Sequence, residues 1–319
     1  MGQFMLKQLA LAAFLAVAAT SQALAAADVE VEINGGLGPL KGSLLMPDGN
    51  GPVPAVLIIP GSGPTDRNSN QPGMTNDALK LVAEQLAGQG IASLRIDKRG
   101  VAASARAAAR EEDLRFETYV DDAVAWLAFL KQQKRVAKVI VLGHSEGALV
   151  GTIAAQRAGT AGLISLAGTG FRAAEILRRQ LGPQLPPDLK ARAFAALAEL
   201  EAGRTVANPP PELAALFRPS VQPYLISWFK HDPAAELAKV AVPVLIVQGT
   251  TDIQVGVDDA KALAAAKPDA KLMLIDGMNH ILRAAPIDRA ANAATYTNPA
   301  LPLKPELMPT LAGFVQAAK

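Results

Sequence analysis

A serine hydroxyl is a poor nucleophile unless a base removes its proton and an acid orients that base. Residues 139–151 offer such a serine in a particular frame. Val139-Ile140-Val141-Leu142 leads into Gly143-His144-Ser145-Glu146-Gly147, and Ala148-Leu149-Val150-Gly151 follows. The centre reads G-x-S-x-G, set between an apolar strand and a helical stretch. On such a turn the serine backbone is strained and two chain segments pass close together, which is why glycine flanks it. The turn lifts the Ser145 hydroxyl off the sheet. It also aims the next backbone N–H, that of Glu146, at a developing oxyanion.

The base and acid are found by elimination. In this kind of site they follow the serine in the order acid, then histidine. The chain has three histidines, and only His231 and His280 lie after Ser145. His231 precedes every strand-end acid, so it is out of order. His280 ends Asp276-Gly277-Met278-Asn279-His280, just past the last apolar run, where a loop can reach the serine. The run 244–248 continues into Gly249-Thr250-Thr251-Asp252, which puts Asp252 at the carboxyl end of the preceding strand. Asp258 and Asp259 fit better as first-turn charges of a helix, and Asp276 as a turn residue. The expected triad is Ser145, Asp252 and His280.

A second oxyanion donor belongs on the loop after an early strand. Pro60-Gly61-Ser62-Gly63-Pro64-Thr65-Asp66-Arg67 is that loop, and the Ser62 N–H is the expected donor, with Gly63 beside it. Other motifs compete poorly. Gly168-Thr169-Gly170-Phe171-Arg172-Ala173 matches G-x-G-x-x-A, but it comes late and lacks an acid at a following strand end. Arg95, Lys98, Arg99 and Arg106 form an interrupted basic stretch, read as a solvated face.

Composition narrows the chemistry further. With no cysteine there is no thiolate nucleophile, disulfide or thiolate metal site, and three histidines make a poor metal cluster. No cofactor or metal is expected. Thirty-one basic against 29 acidic side chains give no electrostatic footprint for nucleic acid. The expected partner is a small molecule; nothing specifies an oligomeric state.

The elements that must position these residues follow from hydrophobic pattern. Runs at 29–34 and 40–46, joined by Asn34-Gly35-Gly36, read as strands around a turn. Strands follow at 53–60, 91–96, 138–142, 162–167, 244–248 and 271–275. Helices are expected at 76–87, 117–132, 146–157, 257–266 and 305–318. Short apolar runs between amphipathic helices predict a mostly parallel central sheet flanked by helices on both faces. Residues 171–240 contain helical stretches, two proline clusters and no strand, which predicts a helical cap insertion over the strand ends. Most of its six aromatics (Phe171, Phe194, Phe217, Tyr224, Trp228, Phe229) should pack a small core of their own, with one or two lining a pocket.

The first residues, MGQFMLKQLALAAFLAVAATSQALA, place Lys7 before eleven apolar residues and a small-residue site. This is the pattern of a secretory signal peptide at 1–25, which leaves one domain at 26–319, with the cap insertion at 171–240. Eleven residues are too few for a bilayer, which needs about 20, so no stable membrane insertion is expected after its removal. A periplasmic or secreted protein is the expectation.

Taken together, PGSGPTDRN (60–68), RIDKRGVAAS (95–104), GHSEG (143–147), QGTTDIQV (248–255) and GMNHIL (277–282) resemble the α/β-hydrolase superfamily. The likeness is greatest to its serine aminopeptidase-like branch of bacterial secreted carboxylesterases. The resemblance implies the α/β-hydrolase fold with a helical cap between the sixth and seventh strands. It also implies Ser145, Asp252 and His280 as nucleophile, acid and base, with Ser62 and Glu146 as oxyanion donors. Asp97 and Arg99 match a stretch that looks structural in relatives. Ala102 stands where relatives often carry a glycine, and alanine there is expected to stiffen the loop. The implied activity is cleavage of short to medium acyl esters through an acyl-enzyme. An aminopeptidase or amidase is the alternative, for which Glu175, Glu199, Glu201 or Glu212 could hold a substrate amine. A non-catalytic binding protein on the same fold is a third reading.

Overall fold

A computed structural model describes residues 28–319; the expected signal peptide lies outside them. Eight strands form one sheet: β1 (Asp28–Asn34), β2 (Pro39–Leu45), β3 (Val53–Ile59), β4 (Ala92–Ile96), β5 (Val136–His144), β6 (Gly162–Leu166), β7 (Val244–Gly249) and β8 (Lys271–Ile275). Their spatial order is β1-β2-β4-β3-β5-β6-β7-β8. β2 runs antiparallel to both of its neighbours, β1 and β4, and every other pairing is parallel. The β1–β2 hairpin is closed by Asn34, whose side chain accepts from the Gly36 N–H at 2.9 Å, while Gly36 itself has φ 86°.

Alternation along the central strands divides the core into two layers. Leu57 and Val141 face one side, with Phe116, Trp126 and Ile153. Val56, Ile58, Ile140 and Leu142 face the other, with Leu79, Leu86 and Leu311. Fully burying each such side chain is worth roughly 1.5–3 kcal/mol, so a strand covered on both faces needs the unbroken apolar runs seen here. Helices α1 (Ala78–Ala87), α2 (Phe116–Lys131), α3 (Glu146–Ala158), α9 (Val257–Ala266) and α11 (Leu307–Ala317) cover the sheet. Five helices lie between β6 and β7: α4 (Ala173–Leu181), α5 (Pro187–Glu201), α6 (Ala214–Phe217), α7 (Gln222–Trp228) and α8 (Pro233–Ala238). The first four enclose a separate apolar cluster built on Ala193, Leu197, Leu200, Phe217, Leu225 and Phe229, whereas Leu237 of α8 joins the first sheet layer. A short helix α10 (Arg289–Ala294) falls in the long connection after β8.

Two details differ from the sequence reading. The helix expected from residue 76 starts at Ala78, because the Asn70 carboxamide oxygen binds the Asn76 and Asp77 N–H groups at 2.8 and 2.9 Å and Asp77 turns left-handed at φ 52°. The basic stretch is no solvated face. Arg95 and Lys98 are buried, and Arg99 is paired with Asp122; only Arg106 is exposed. Their partners come from distant segments, which a local charge pattern does not show.

Candidate active site

The strand β5 ends at His144 and the helix α3 begins at Glu146, leaving Ser145 alone at the turn with φ 57° and ψ −124°. That strained conformation requires close packing around it. A Cβ on Gly143 would lie 2.0 Å from the Gly147 carbonyl oxygen, and one on Gly147 would lie 2.4 Å from the Ile59 carbonyl oxygen. Both flanking glycines are therefore dictated by backbone approach. The Ser145 N–H is held by the Leu166 carbonyl at 3.0 Å.

Asp252 and His280 are brought together by the turns after β7 and β8. The Thr250 and Thr251 N–H groups each bond a carbonyl of the neighbouring turn, Ile275 and Met278, at 3.1 Å. A Cβ on Gly249 would sit 2.0 Å from the Met278 oxygen, so these turns touch through backbone. His280 Nδ1–H donates to Asp252 Oδ2 at 2.7 Å. A carboxylate only accepts, so this bond fixes the tautomer and leaves the Nε2 lone pair free. The other Asp252 oxygen accepts the Gln254 and Val255 N–H groups at 2.8 and 2.9 Å, and Gln248 Nε2 reaches Oδ2 at 3.1 Å. Burial pushes the Asp252 carboxyl upward, but the His280 charge, its hydrogen bond and these backbone donors outweigh it and hold the pKa below the usual range.

Sequence reasoning assigned no role to His144. Its Nε2–H donates to the His280 carbonyl at 2.8 Å, and the two rings lie 4.8 Å apart. Burial, helped by the neighbouring His280, pushes the His144 pKa down to about 3. His144 is thus a neutral strut under the His280 backbone. Its only sequence signal was its place beside Ser145.

The Gly61–Ser62 loop is tied to the sheet by charge. Arg67 donates to Asp97 from its backbone N–H and from Nε and Nη2, at 2.8, 3.0 and 2.7 Å. Asp66 accepts the Asn68 and Asn70 N–H groups, both at 2.8 Å. The Ser62 carbonyl accepts Thr65 Oγ1 at 2.6 Å. The Ser62 N–H donates to nothing among the described residues. The Glu146 N–H opens α3 and has no carbonyl of its own helix to bond. A Cβ on Gly61 would come within 3.1 Å of Ser145 Cβ, which shows how closely the loop passes the serine.

Two cavities meet at Ser145. The larger, about 480 Å³, lies beneath α4 and α7; Ile176, Leu177, Tyr119, Tyr224, Leu225 and Trp228 supply much of its wall. The smaller, about 50 Å³, is bordered by Ser145, His144, His280, Ile281, Ser69 and Tyr296. Tyr224 and Trp228 are the two cap aromatics on the larger wall, while Phe217 and Phe229 pack the cap's own cluster.

The four cap acids that the aminopeptidase alternative would draw on lie away from the larger cavity. Glu175 pairs with Arg179, Glu199 with Arg204, Glu201 with Arg178 and Glu212 with Arg192, and none of the four borders the larger cavity. Helical spacing and surface charge explain them. The acids on that wall are Glu111, paired with Arg218, and Glu146, held by Lys98 and Tyr224. His231 is also elsewhere, bonded to Glu117 at 3.1 Å and lying against Phe116. The G-x-G-x-x-A glycines serve packing: a Cβ on Gly170 would meet the Asp259 carbonyl oxygen at 2.2 Å.

Among known proteins, the Alpha/beta hydrolase family profile matches residues 56–293. Esterase EstD of Thermotoga maritima is 28% identical over 256 residues, covering 79% of this chain. The chain spans 59% of that relative's length. Among solved structures, Est1E from Butyrivibrio proteoclasticus with ferulic acid bound is 21% identical with a TM-score of 0.57, covering 83% of this chain and 94% of that one. Proline iminopeptidase from Mycobacterium smegmatis is 16% identical with a TM-score of 0.59, covering 90% and 98%. These structural likenesses establish a shared fold, and the profile covers most of the described chain. The chain belongs to the alpha/beta hydrolase family.

Proposed function

We propose that this protein is a serine hydrolase cleaving carboxylic esters with short to medium acyl chains. The observation that carries the reading is the 2.7 Å His280–Asp252 bond at a cavity floor shared with the strained Ser145. Ser145 Oγ attacks the ester carbonyl as His280 Nε2 takes its proton. The resulting oxyanion receives the N–H groups of Ser62 and Glu146, and such a donor typically contributes 10²–10³ in rate. The tetrahedral species collapses with loss of the alcohol, which leaves with the proton from His280. Water then gives its proton to His280 and attacks the acyl-Ser145 ester; the new tetrahedral species collapses to release the acid, and Ser145 Oγ takes the proton back from His280. Asp252 stays ionised throughout and stabilises the imidazolium.

The cavities suit this sequence of steps. The mostly apolar larger cavity matches an acyl chain. The smaller has room for one or two waters, and His280 borders it. The ester reading is favoured over an aminopeptidase because both acids on the larger wall are already paired with cations, leaving no free carboxylate there for an ammonium. Comparing p-nitrophenyl butyrate with aminoacyl p-nitroanilides tests the choice: the account expects turnover of the ester, and faster cleavage of the anilides would contradict it. Loss of ester turnover in Ser145→Ala is also expected, and retained turnover would overturn the triad.

The proposal extends to location. The charged, apolar and small-residue succession of residues 1–25 supports export to the periplasm or beyond. Expression of the full chain with N-terminal sequencing of the product should find a start at or near residue 26; an intact Met1 on cytoplasmic protein would contradict it.

A further inference from the structure

A buried cation lies behind the loop that carries Ser62, and the steps above leave it unused. The Lys98 side chain is 4% exposed. Its ammonium donates to the Gly61 carbonyl, lies 3.6 Å from Glu146 Oε2 and stands 5.5 Å over the Tyr119 ring. Burial pushes the Lys98 pKa down, and the Glu146 carboxylate works against that shift. Glu146 is held in turn by the Tyr224 hydroxyl. A buried pair of this kind is a weak source of stability, because desolvation cancels much of the attraction.

Peptide geometry gives the pair another use. The Gly61 carbonyl and the Ser62 N–H belong to one planar trans peptide, so they point in opposite directions. Holding the carbonyl on one side holds the N–H on the other. A cation at the carbonyl oxygen also polarises the amide and strengthens the N–H as a donor. Glu146 completes the arrangement, since its carboxylate holds Lys98 while its backbone N–H is the other donor. We infer that Lys98 is a positioning residue of the oxyanion hole: clamped by Glu146, its ammonium orients and polarises the peptide joining Gly61 to Ser62. The inference rests on Ser62 and Glu146 acting as the oxyanion donors.

The test is Lys98→Met, assayed with p-nitrophenyl butyrate and with a trifluoromethyl ketone that forms a tetrahedral adduct at Ser145. Losing one oxyanion donor outright costs about 10²–10³, and weakening it through its peptide should cost about 10- to 100-fold in kcat. KM should change less than about three-fold, because the contact matters in the tetrahedral state. Affinity for the ketone should fall by the same factor as kcat/KM. A structural role alone would lower the fraction of active sites titrated by a phosphonate and leave kcat per titrated site unchanged; that result overturns the inference, as does unchanged ketone affinity. If Lys98→Met does not fold, Lys98→Cys provides a second route. The chain has no other cysteine, so 2-bromoethylamine rebuilds a lysine-length ammonium at that position alone. Recovery of kcat on alkylation supports the inference, and complete alkylation without recovery overturns it. Phosphonate labelling separates the two levels. A wild-type protein unlabelled at Ser145 defeats the underlying reading, whereas a labelled one with an unaffected Lys98→Met defeats only this inference.

Discussion

Two histidines stand side by side near Ser145, and their surroundings give them opposite duties. His280 has Asp252 on Nδ1 and a free Nε2, so it can accept a proton. In the proposed mechanism, replacing Asp252 with Asn removes the charge that would stabilise the imidazolium, along with the carboxylate that accepts from His280 Nδ1. The expected loss is about 10⁴ in kcat, with far-UV circular dichroism unchanged; a loss under ten-fold would remove Asp252 from the chemistry. His144 is buried and spends its N–H on the His280 carbonyl. Unfolded, its imidazole titrates near the ordinary 6.5; folded, near 3. Between these values the unfolded chain binds a proton that the folded chain refuses, so stability rises with pH across the window and is lost on acidification. From pH 7 to pH 5 this group should cost about 2 kcal/mol. Urea unfolding at the two pH values should show a smaller drop in His144→Gln than in wild type, and an equal drop in both would contradict the buried neutral state.

At the scale of the elements, the turn after β4 and the helix α7 make the sharpest claims. Ala102 adopts φ 45° at the start of a short helical turn whose Ser104 hydroxyl accepts the Lys41 N–H at 2.8 Å. An L-residue pays about 1–2 kcal/mol in that region, while glycine pays about 0.5–1 kcal/mol in unfolded-state entropy. Ala102→Gly should therefore stabilise the protein by roughly 0.5 kcal/mol, read as a rise in melting temperature; a fall would contradict the strain. On α7, Trp228 borders the larger cavity between Tyr224 and Phe116. Trp228→Ala should lengthen the space for an acyl chain. The octanoate-to-butyrate ratio of kcat/KM for p-nitrophenyl esters should rise about five-fold, since added methylenes in an apolar pocket are worth about 1–3 kcal/mol. An unchanged ratio would place the acyl chain elsewhere.

These elements also show what a sequence carries and what it hides. The Ser145 turn was legible because its glycines and the strand before it are contiguous, and steric need alone dictates them. The partnership of Asp252 with His280 was legible because only two histidines follow the serine and strand ends alternate with helices. The buried network of Lys98 was not. Its partners, Glu146 and Tyr224, come from another motif and from the cap, so the stretch looked like a surface charge run. The cap acids stayed ambiguous for the converse reason: carboxylates in helices read alike until their arginine partners are placed.

For the whole molecule, one sheet accounts for the arrangement. Its parallel strands end on one side, and the loops after β3, β5, β7 and β8 deliver Ser62, Ser145, Asp252 and His280 to that edge. Of the helices between β6 and β7, α4, α6 and α7 border the larger cavity at Ser145, so the sheet sets the serine turn and these helices wall the pocket beside it. The central claim is that this edge activates one serine among all the hydroxyls of the chain. Incubation with a fluorescent alkylphosphonate, followed by peptide mass spectrometry, tests it most directly. The account predicts a single stoichiometric adduct on Ser145, absent from Ser145→Ala and strongly slowed in His280→Ala. A folded protein with no adduct, or with its adduct on another residue, would contradict it.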